Sequence, residues 1–185
     1  DTLYFGDLGG QAFRMDINNK AEKIGSFAKR VVRLYTDHKT DGTSPRFYEM
    51  PSFSVHKGED GLFGVVALSS GNRSSPLAGT HMIDGSQVVT KTANDAVYVI
   101  YDNDVARSDL YSIANNGLRT SPTNTGVTLT NATFDQLKTG IPQTTGTGNS
   151  LVYNGGWKYQ YSATAGKYKG MNELYALDGM LYVNV

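Results

Sequence analysis

Apolar and polar residues alternate in short runs along most of this chain, a pattern typical of strands with one buried face. Near the start, Leu3 and Phe5 alternate with polar neighbours, and Met15 continues the pattern beyond the pair Gly9 and Gly10. We therefore predict a hairpin over the first residues. Both glycines are expected to adopt the positive φ values that a two-residue turn requires.

Further strand-like runs lie between clusters of turn-forming residues. The predicted strands cover 30–35, 47–55 with an interruption at Pro51, 62–69, 96–101, 157–161, 174–177 and 180–185. The run 62–69 is apolar on both faces, which predicts a buried strand, and 96–101 is the clearest strand. Between the last two runs, Asp178-Gly179 is a strong signal for a two-residue hairpin turn.

From 108 to 150 the composition changes to Thr, Asn, Gly, Ser and Pro. Such a long segment inside a compact domain is typically functional or mobile, and it contains few large apolar residues. We predict a mobile surface loop over 108–150. It is interrupted by one short helix at 133–138, for which Asn131 or Thr133 can provide the N-cap.

Composition limits the classes of function. The 185 residues suffice for one hydrophobic core, and the 17 basic and 17 acidic residues give no net charge that would attract nucleic acid. No apolar run approaches the roughly 20 residues of a membrane-spanning helix, so direct membrane insertion is not expected. The absence of cysteine excludes disulfides and thiolate metal sites. The 12 tyrosines and 21 glycines favour an all-β fold with many turns.

The opening hairpin also suggests how the strands are arranged. An aromatic-Gly-Asp-x-x-Gly turn closed by Arg-x-Asp, here residues 5–16, is typical of quinoprotein-type β-propellers. Because a propeller blade needs four strands and roughly 40 to 50 residues, this length accounts for about four blades. The predicted fold class is all-β: a partial β-propeller of about four antiparallel blades with long surface loops. Residues 1–185 would form a single segment of a larger propeller.

Five segments of the chain together resemble a known family. These are 4–16 (YFGDLGGQAFRMD), 46–51 (RFYEMP), 70–73 (SGNR), 97–104 (VYVIYDND) and 156–159 (GWKY). In this order they are similar to the C-terminal propeller of the PilC/PilY family of type IV pilus tip-associated adhesins. The resemblance implies a non-enzymatic pilus biogenesis factor that supports pilus extension and surface attachment. It further implies export to the cell surface or pilus tip in association with the outer membrane, with pilins or minor pilins and a host or abiotic surface receptor as partners.

The resemblance also implies calcium, because family members carry an aspartate-rich loop in the propeller. The nearest match here places Asp102, Asp104 and Asp109 as ligands, since carboxylate oxygens suit this hard cation. The loop departs from the family pattern at Ala106, where a further aspartate is expected. The alternative is that these aspartates only form a strand-terminal turn. Their location at the end of a strand predicts that Asp104 lies outside the core.

Other residue patterns favour structural roles. Arg14 is expected to pair with Asp16 or Asp7 within a blade, and no two of the three histidines have the spacing of a metal site. Trp157 and the nearby tyrosines can stack on sugar rings or pack between blades. The alternative function is a quinoprotein dehydrogenase that holds pyrroloquinoline quinone. The lack of the vicinal disulfide that many of those enzymes use favours the non-enzymatic interpretation.

Overall fold

The chain is mostly β. Our computed structural model describes residues 1–58, 61–74, 79–83, 85–90, 93–139 and 155–185. The strands in these residues are β1 (Thr2–Gly6), β2 (Gln11–Ile17), β3 (Ala28–Thr36), β4 (Ser52–Gly58), β5 (Gly61–Ser69), β6 (Gly79–Ile83), β7 (Ser86–Thr90), β8 (Ala96–Asp102), β9 (Thr130–Asn131), β10 (Gly156–Gln160), β11 (Tyr175–Leu177) and β12 (Met180–Tyr182). The helix α1 (Phe134–Thr139) and two short 3₁₀ turns, Ile24–Ser26 and Asn115–Gly117, complete the described elements.

The first sheet is an antiparallel meander in the order β1-β2-β3. Its first connection is not the two-residue turn that the sequence predicts, because four residues, 7–10, separate the strands. Only Gly10 has a positive φ there, at 81°. The carboxylate of Asp7 accepts hydrogen bonds from the backbone N–H groups of Gly9 and Gln11 and thereby closes the longer loop. The hairpin is confirmed, but its turn type is corrected.

The second sheet has the order β4-β5-β8-β10-β9. Its first four strands are antiparallel neighbours, whereas the two-residue β9 runs parallel to β10. Strand β4 begins after Pro51, which lacks the N–H that a ladder needs, so the predicted strand 47–55 is confirmed only in its second part. Gly156 has a φ of 110°, and a Cβ at this position would lie 2.0 Å from the carbonyl oxygen of Val99.

The main core lies between the two sheets. Its buried side chains are Ala12, Val32, Leu34, Tyr35, Phe47, Val66, Leu68, Ala96, Tyr98, Ile100, Leu110, Leu118 and Leu129. Tyr98 packs edge-on against Phe47 at 5.1 Å between ring centroids. Because burying one large apolar side chain contributes about 1.5–3 kcal/mol, this layer holds the two sheets together.

A second, smaller core lies on the opposite face of the second sheet. It contains Ala67, Val97, Val99 and Leu174, with Trp157 packed against it. Since side chains alternate along a strand, β8 contributes to both cores and is buried on both faces. The hairpin β11-β12 covers part of this second face.

The segment after β8 is not simply a surface loop. Leu110, Leu118 and Leu129 are 1%, 5% and 8% exposed and belong to the main core, so the expected surface position is wrong for these residues. The run 108–139 is polar in composition, but three of its four leucines are buried. Residues 140–150 of the predicted loop lie outside the described residues.

Two local predictions are confirmed in detail. Asp178 and Gly179 have φ values of 51° and 75° and form the turn between β11 and β12, as expected for a two-residue hairpin. Helix α1 is capped by Thr133, whose hydroxyl accepts a hydrogen bond from the N–H of Gln136 while the Gln136 side chain accepts one from Thr133 N–H. This reciprocal pair is a capping box.

Within the described ranges the sheets do not close into a barrel or propeller. In the same part of the chain, no helix has both the length and the apolar character needed to cross a membrane.

Candidate functional site

A fully buried arginine joins the two sheets. Arg14 on β2 is 0% exposed, and its guanidinium donates to the carboxylate of Asp16 at 2.8 Å and to that of Asp102 at 2.6 Å. Burial alone would lower the pKa of Arg14, but the charges and hydrogen bonds of Asp102 and Asp16 raise it above its ordinary value. The predicted pair of Arg14 with Asp16 is confirmed, whereas Asp7 instead closes the first hairpin loop.

Asp16 also contacts a second arginine. The Nε atom of Arg30 on β3 lies 2.9 Å from Asp16 Oδ2. The Arg30 guanidinium also donates to the backbone carbonyls of Leu110 and Ile113, which lie in the segment after β8. Arg30 therefore fixes that segment against the first sheet.

Asp102 lies at the end of β8 and is fully buried, not at the surface of a turn. Besides Arg14, it accepts a hydrogen bond of 2.8 Å from the hydroxyl of Tyr4 on β1. Burial, followed by the charge of Asp102, raises the pKa of the Tyr4 hydroxyl far above its ordinary value. Tyr4 thus remains a neutral hydrogen-bond donor throughout the normal pH range.

Asp104 is likewise 0% exposed, which corrects the expectation that it lies outside the core. Its two oxygens accept hydrogen bonds from the backbone N–H groups of Arg119 and Thr120, each at 2.8 Å. Arg107 Nη1 lies 3.3 Å from the first oxygen, and Arg14 Nη1 lies 3.8 Å from the second. The carboxylate therefore anchors the return of the chain at 119–120 beside β8.

Asp109 lies apart from the other two aspartates, at the protein surface. Its side chain is 47% exposed and forms a two-pronged ion pair with Arg107, at 2.9 and 2.8 Å. The hydrogen bond from Arg107 lowers the pKa of the Asp109 carboxyl. Arg107 thus bridges Asp109 to Asp104.

We call the set Tyr4, Arg14, Asp16, Arg30, Asp102 and Asp104 the buried ionic cluster. It contains two guanidiniums and three carboxylates, and Arg107 at its rim adds a third positive charge. The cluster therefore has a formal charge of −1, which does not change when Arg107 and its partner Asp109 are both counted. Buried charges are tolerated only when they are paired and hydrogen-bonded in this way.

These carboxylates do not fit a calcium site in the observed arrangement. The oxygens of Asp102 and Asp104 accept hydrogen bonds from guanidinium, hydroxyl and N–H groups, and Asp109 is turned toward Arg107. No group of three or more acidic or histidine side chains in the described residues is arranged to hold a metal ion. Calcium would first have to displace Arg107, so calcium binding stays a prediction that a titration can test.

Sequence reasoning missed three members of this arrangement. The sequence analysis assigns no role to Tyr4, Arg30 or Arg107. For Arg107 a local signal does exist, because the spacing Asp104-x-x-Arg107-x-Asp109 places two aspartates close enough in the chain to form ion pairs with it. For Tyr4 and Arg30 no local signal exists, because their partners are distant in the chain.

A second polar group lies at the other end of β8. The hydroxyl of Ser70 donates to Asp95 at 2.8 Å and accepts from the N–H of Ala96 at 3.0 Å. Burial raises the pKa of the Asp95 carboxyl, and the hydrogen bond from Ser70 offsets only part of that effect. This geometry fixes the entry into β8.

Two clefts flank the hairpin β11-β12 on the second face of the large sheet. The cleft beside β11 measures about 400 Å³ and is lined partly by Ser52, Ser54 and His56 of β4. The cleft beside β12 measures about 630 Å³, and we call it the aromatic cleft. It is lined by Val97, Tyr101, Phe134, Leu137, Trp157, Tyr159, Tyr161, Gly179, Met180, Leu181, Tyr182, Val183 and Val185.

His38 and His56 make ordinary local contacts. The Nδ1 of His38 lies 3.1 Å from the carbonyl oxygen of Gly9, and the Nε2 of His56 lies 2.9 Å from the hydroxyl of Ser54. The two residues belong to different parts of the fold and do not share a ligand site.

No family model, no curated protein and no solved structure matches the chain.

Proposed function

We propose that this chain is a non-enzymatic binding module of a type IV pilus tip-associated protein similar to the PilC/PilY family. One observation carries the proposal. Two of the segments on which the resemblance rests, 4–16 and 97–104, contribute Arg14, Asp16, Asp102 and Asp104 to one buried cluster. Because residues from both segments contact one another in this cluster, the two segments form one structural unit. This supports treating them as parts of a single family motif.

The finer fold belongs to the same proposal. We infer that β1-β2-β3 and β4-β5-β8-β10 are neighbouring blades of a propeller and that β11-β12 begins the next blade. The antiparallel meander of each sheet and the face-to-face packing of the two sheets support this assignment. The total of about four blades stays a prediction from chain length.

In this proposal the propeller segment is a rigid platform for recognition. It is exported, lies at the cell surface or pilus tip and is associated with the outer membrane. Its partners are pilins or minor pilins and a host or abiotic surface receptor. A platform of this kind requires a rigid scaffold, and the buried ionic cluster supplies one by tying four strands and the segment after β8 together.

The proposal is tested in the source bacterium by deleting the segment encoding this chain at its own locus. We expect fewer surface pili by electron microscopy and weaker adherence, with both restored by the unaltered gene. Antibodies against the chain should label intact cells or pilus tips. Unchanged piliation together with purely intracellular labelling would contradict the proposal.

A quinoprotein dehydrogenase is the competing function, and it is tested on the purified chain. Incubation with pyrroloquinoline quinone should give no bound-cofactor absorbance and no dye reduction with alcohols or glucose. Saturable cofactor binding with turnover would replace the proposed function with an enzymatic one.

A further inference from the structure

A small polar pocket lies where the segment after β3 meets β8 and β10. It measures about 290 Å³, which is close to the lower end of the roughly 300–1,000 Å³ of typical ligand pockets. Its polar lining side chains are Asp37, Lys39, Thr43, Asn94, Lys158 and Gln160. It shares no lining residue with the two clefts beside β11-β12, and none of its residues belongs to the buried ionic cluster. We call it the polar pocket.

The carboxylate of Asp37 contacts two ammonium groups in this pocket, one at each oxygen. Lys39 Nζ lies 3.7 Å from Oδ1, and Lys158 Nζ lies 3.9 Å from Oδ2. Both distances exceed the roughly 2.7–3.2 Å of a hydrogen bond, so Asp37 does not use up the N–H groups of either ammonium. No other lining side chain of the pocket carries a charge, and its net charge is therefore +1.

The charged groups are held in place by the surrounding chain. The N–H of Asp37 donates to a backbone carbonyl of the first hairpin loop at 2.9 Å. The N–H of Lys39 donates to the hydroxyl of Ser44 at 2.8 Å, and that hydroxyl donates back to the Lys39 carbonyl. The ammonium of Lys158 on β10 also lies over the buried ring of Tyr98, 5.9 Å from its centroid. A pocket formed in advance loses less conformational entropy on binding.

The rest of the lining suits a ligand with several hydroxyl groups. The Thr43 hydroxyl donates to Asp41 at 2.6 Å, so its oxygen can still accept a hydrogen bond. The exposed amides of Asn94 and Gln160 can donate and accept, whereas the Asp37 carboxylate only accepts. One ligand carboxylate would balance the pocket charge of +1. A phosphate dianion would instead leave excess negative charge beside Asp37.

We propose that the polar pocket binds one acidic sugar unit, a uronic acid. Its carboxylate accepts hydrogen bonds from the ammonium groups of Lys39 and Lys158, and its hydroxyls bond to Asp37 and the two amides. Hydrogen bonds between charged groups are the strong ones, so the carboxylate determines selectivity. This inference rests on the proposed function as a binding module and gives the chemical class of the receptor, a surface glycan that contains uronic acid units.

The test compares two sugars on the purified chain, methyl glucuronide and methyl glucoside. They differ only in a carboxylate that replaces a hydroxymethyl group. Calorimetric titration at low salt, with saturation-transfer NMR for weak binding, should show saturable binding of the glucuronide. The glucoside should bind at least about tenfold more weakly, because it lacks the hydrogen bonds to a charged group. Added salt should weaken glucuronide binding by screening. Acetate and inorganic phosphate should compete only weakly.

Two matched substitutions locate the site. Lys158→Gln should weaken glucuronide binding at least about tenfold. Lys57→Gln makes the same change at an exposed residue of β4, at the far side of the same sheet from β10, and binding should be unchanged. Lys39→Gln serves as the second pocket variant if Lys158→Gln does not fold.

The sugar experiment fails independently of the pilus experiment. No saturable glucuronide binding, equal binding of the glucoside, equally tight binding of acetate or phosphate, or equal effects of the Lys158 and Lys57 variants would overturn the uronic acid site. Any of these results leaves the piliation result intact. Glucuronide binding together with unchanged piliation would instead contradict only the pilus assignment.

Discussion

The guanidinium of Arg14 lies 2.6 Å from the carboxylate of Asp102, although 88 positions separate the two residues in the chain. Neither side chain is exposed to solvent. This contact joins β2 of the first sheet to the end of β8 in the second sheet. It also explains why an Arg-x-Asp in a hairpin and an aspartate after a distant strand belong to one structural unit.

Replacing Arg14 with methionine should destabilise the fold strongly. The substitution leaves Asp16 and Asp102 buried with less compensation, and breaking a buried pair in this way costs about 3–5 kcal/mol. Urea unfolding followed by circular dichroism measures the loss. The matched variant Arg119→Met changes an exposed side chain and should alter the free energy of unfolding by only about 0.5 kcal/mol. Equal effects of the two substitutions would argue against the cluster as a stabilising unit.

Tyr4→Phe should cost less than the loss of Arg14. It removes one hydrogen bond to a buried carboxylate, a contact worth about 1.5–3 kcal/mol, while the ring can still stack on Phe53. Tyr182→Phe is the control, since Tyr182 is 49% exposed. Thermal unfolding of both variants compares them. A Tyr4 variant as stable as wild type would show that Asp102 is satisfied without the hydroxyl.

Asp95 should make stability depend on pH. Burial raises the pKa of its carboxyl above the ordinary 3.8, so the folded state binds the proton more tightly than the unfolded chain. The resulting stabilisation is fully present below the unfolded pKa and is lost as pH rises through the folded pKa. Asp95→Asn removes this dependence. The melting temperature of the variant relative to wild type should therefore increase from about pH 4 to pH 7. A constant difference over that range would refute the linkage.

Local features of the fold were predictable from sequence because short-range chemistry determines them. The Asp178-Gly179 turn needs two residues with positive φ, and the helix at 134–139 has Thr133 and Gln136 at capping-box spacing. Strand β8 was predictable because a continuous β-branched and aromatic run suits a strand buried on both faces.

The buried ionic cluster was only partly predictable. The Arg14 and Asp16 pair follows from adjacent positions on one face of a strand, whereas the contacts of Asp102 with Tyr4 and Arg14 depend on how the two sheets pack. The leucines after β8 were missed for the same reason. In a polar segment, isolated leucines show no periodicity, and only the tertiary fold reveals that they are buried.

Calcium binding remains a prediction with a clear structural requirement. Because Arg107 pairs with both Asp104 and Asp109, a bound ion would have to displace it, and Arg107→Gln should then increase any calcium-dependent rise in melting temperature. Calorimetric titration of wild type and Arg107→Gln with calcium tests this. Heat and a thermal shift in either protein would support a metal site, whereas none in both at millimolar calcium would leave the aspartates as structural groups.

A double-mutant cycle of Arg14→Met and Asp102→Asn tests the central claim most directly, namely that the motif residues form one buried structural cluster. The free energy of unfolding is measured for wild type, both single variants and the double variant, with chelator and with millimolar calcium. We predict a coupling energy of about 1–3 kcal/mol that calcium does not change. Additive effects of the two substitutions, or a coupling that appears only with calcium, would contradict the account.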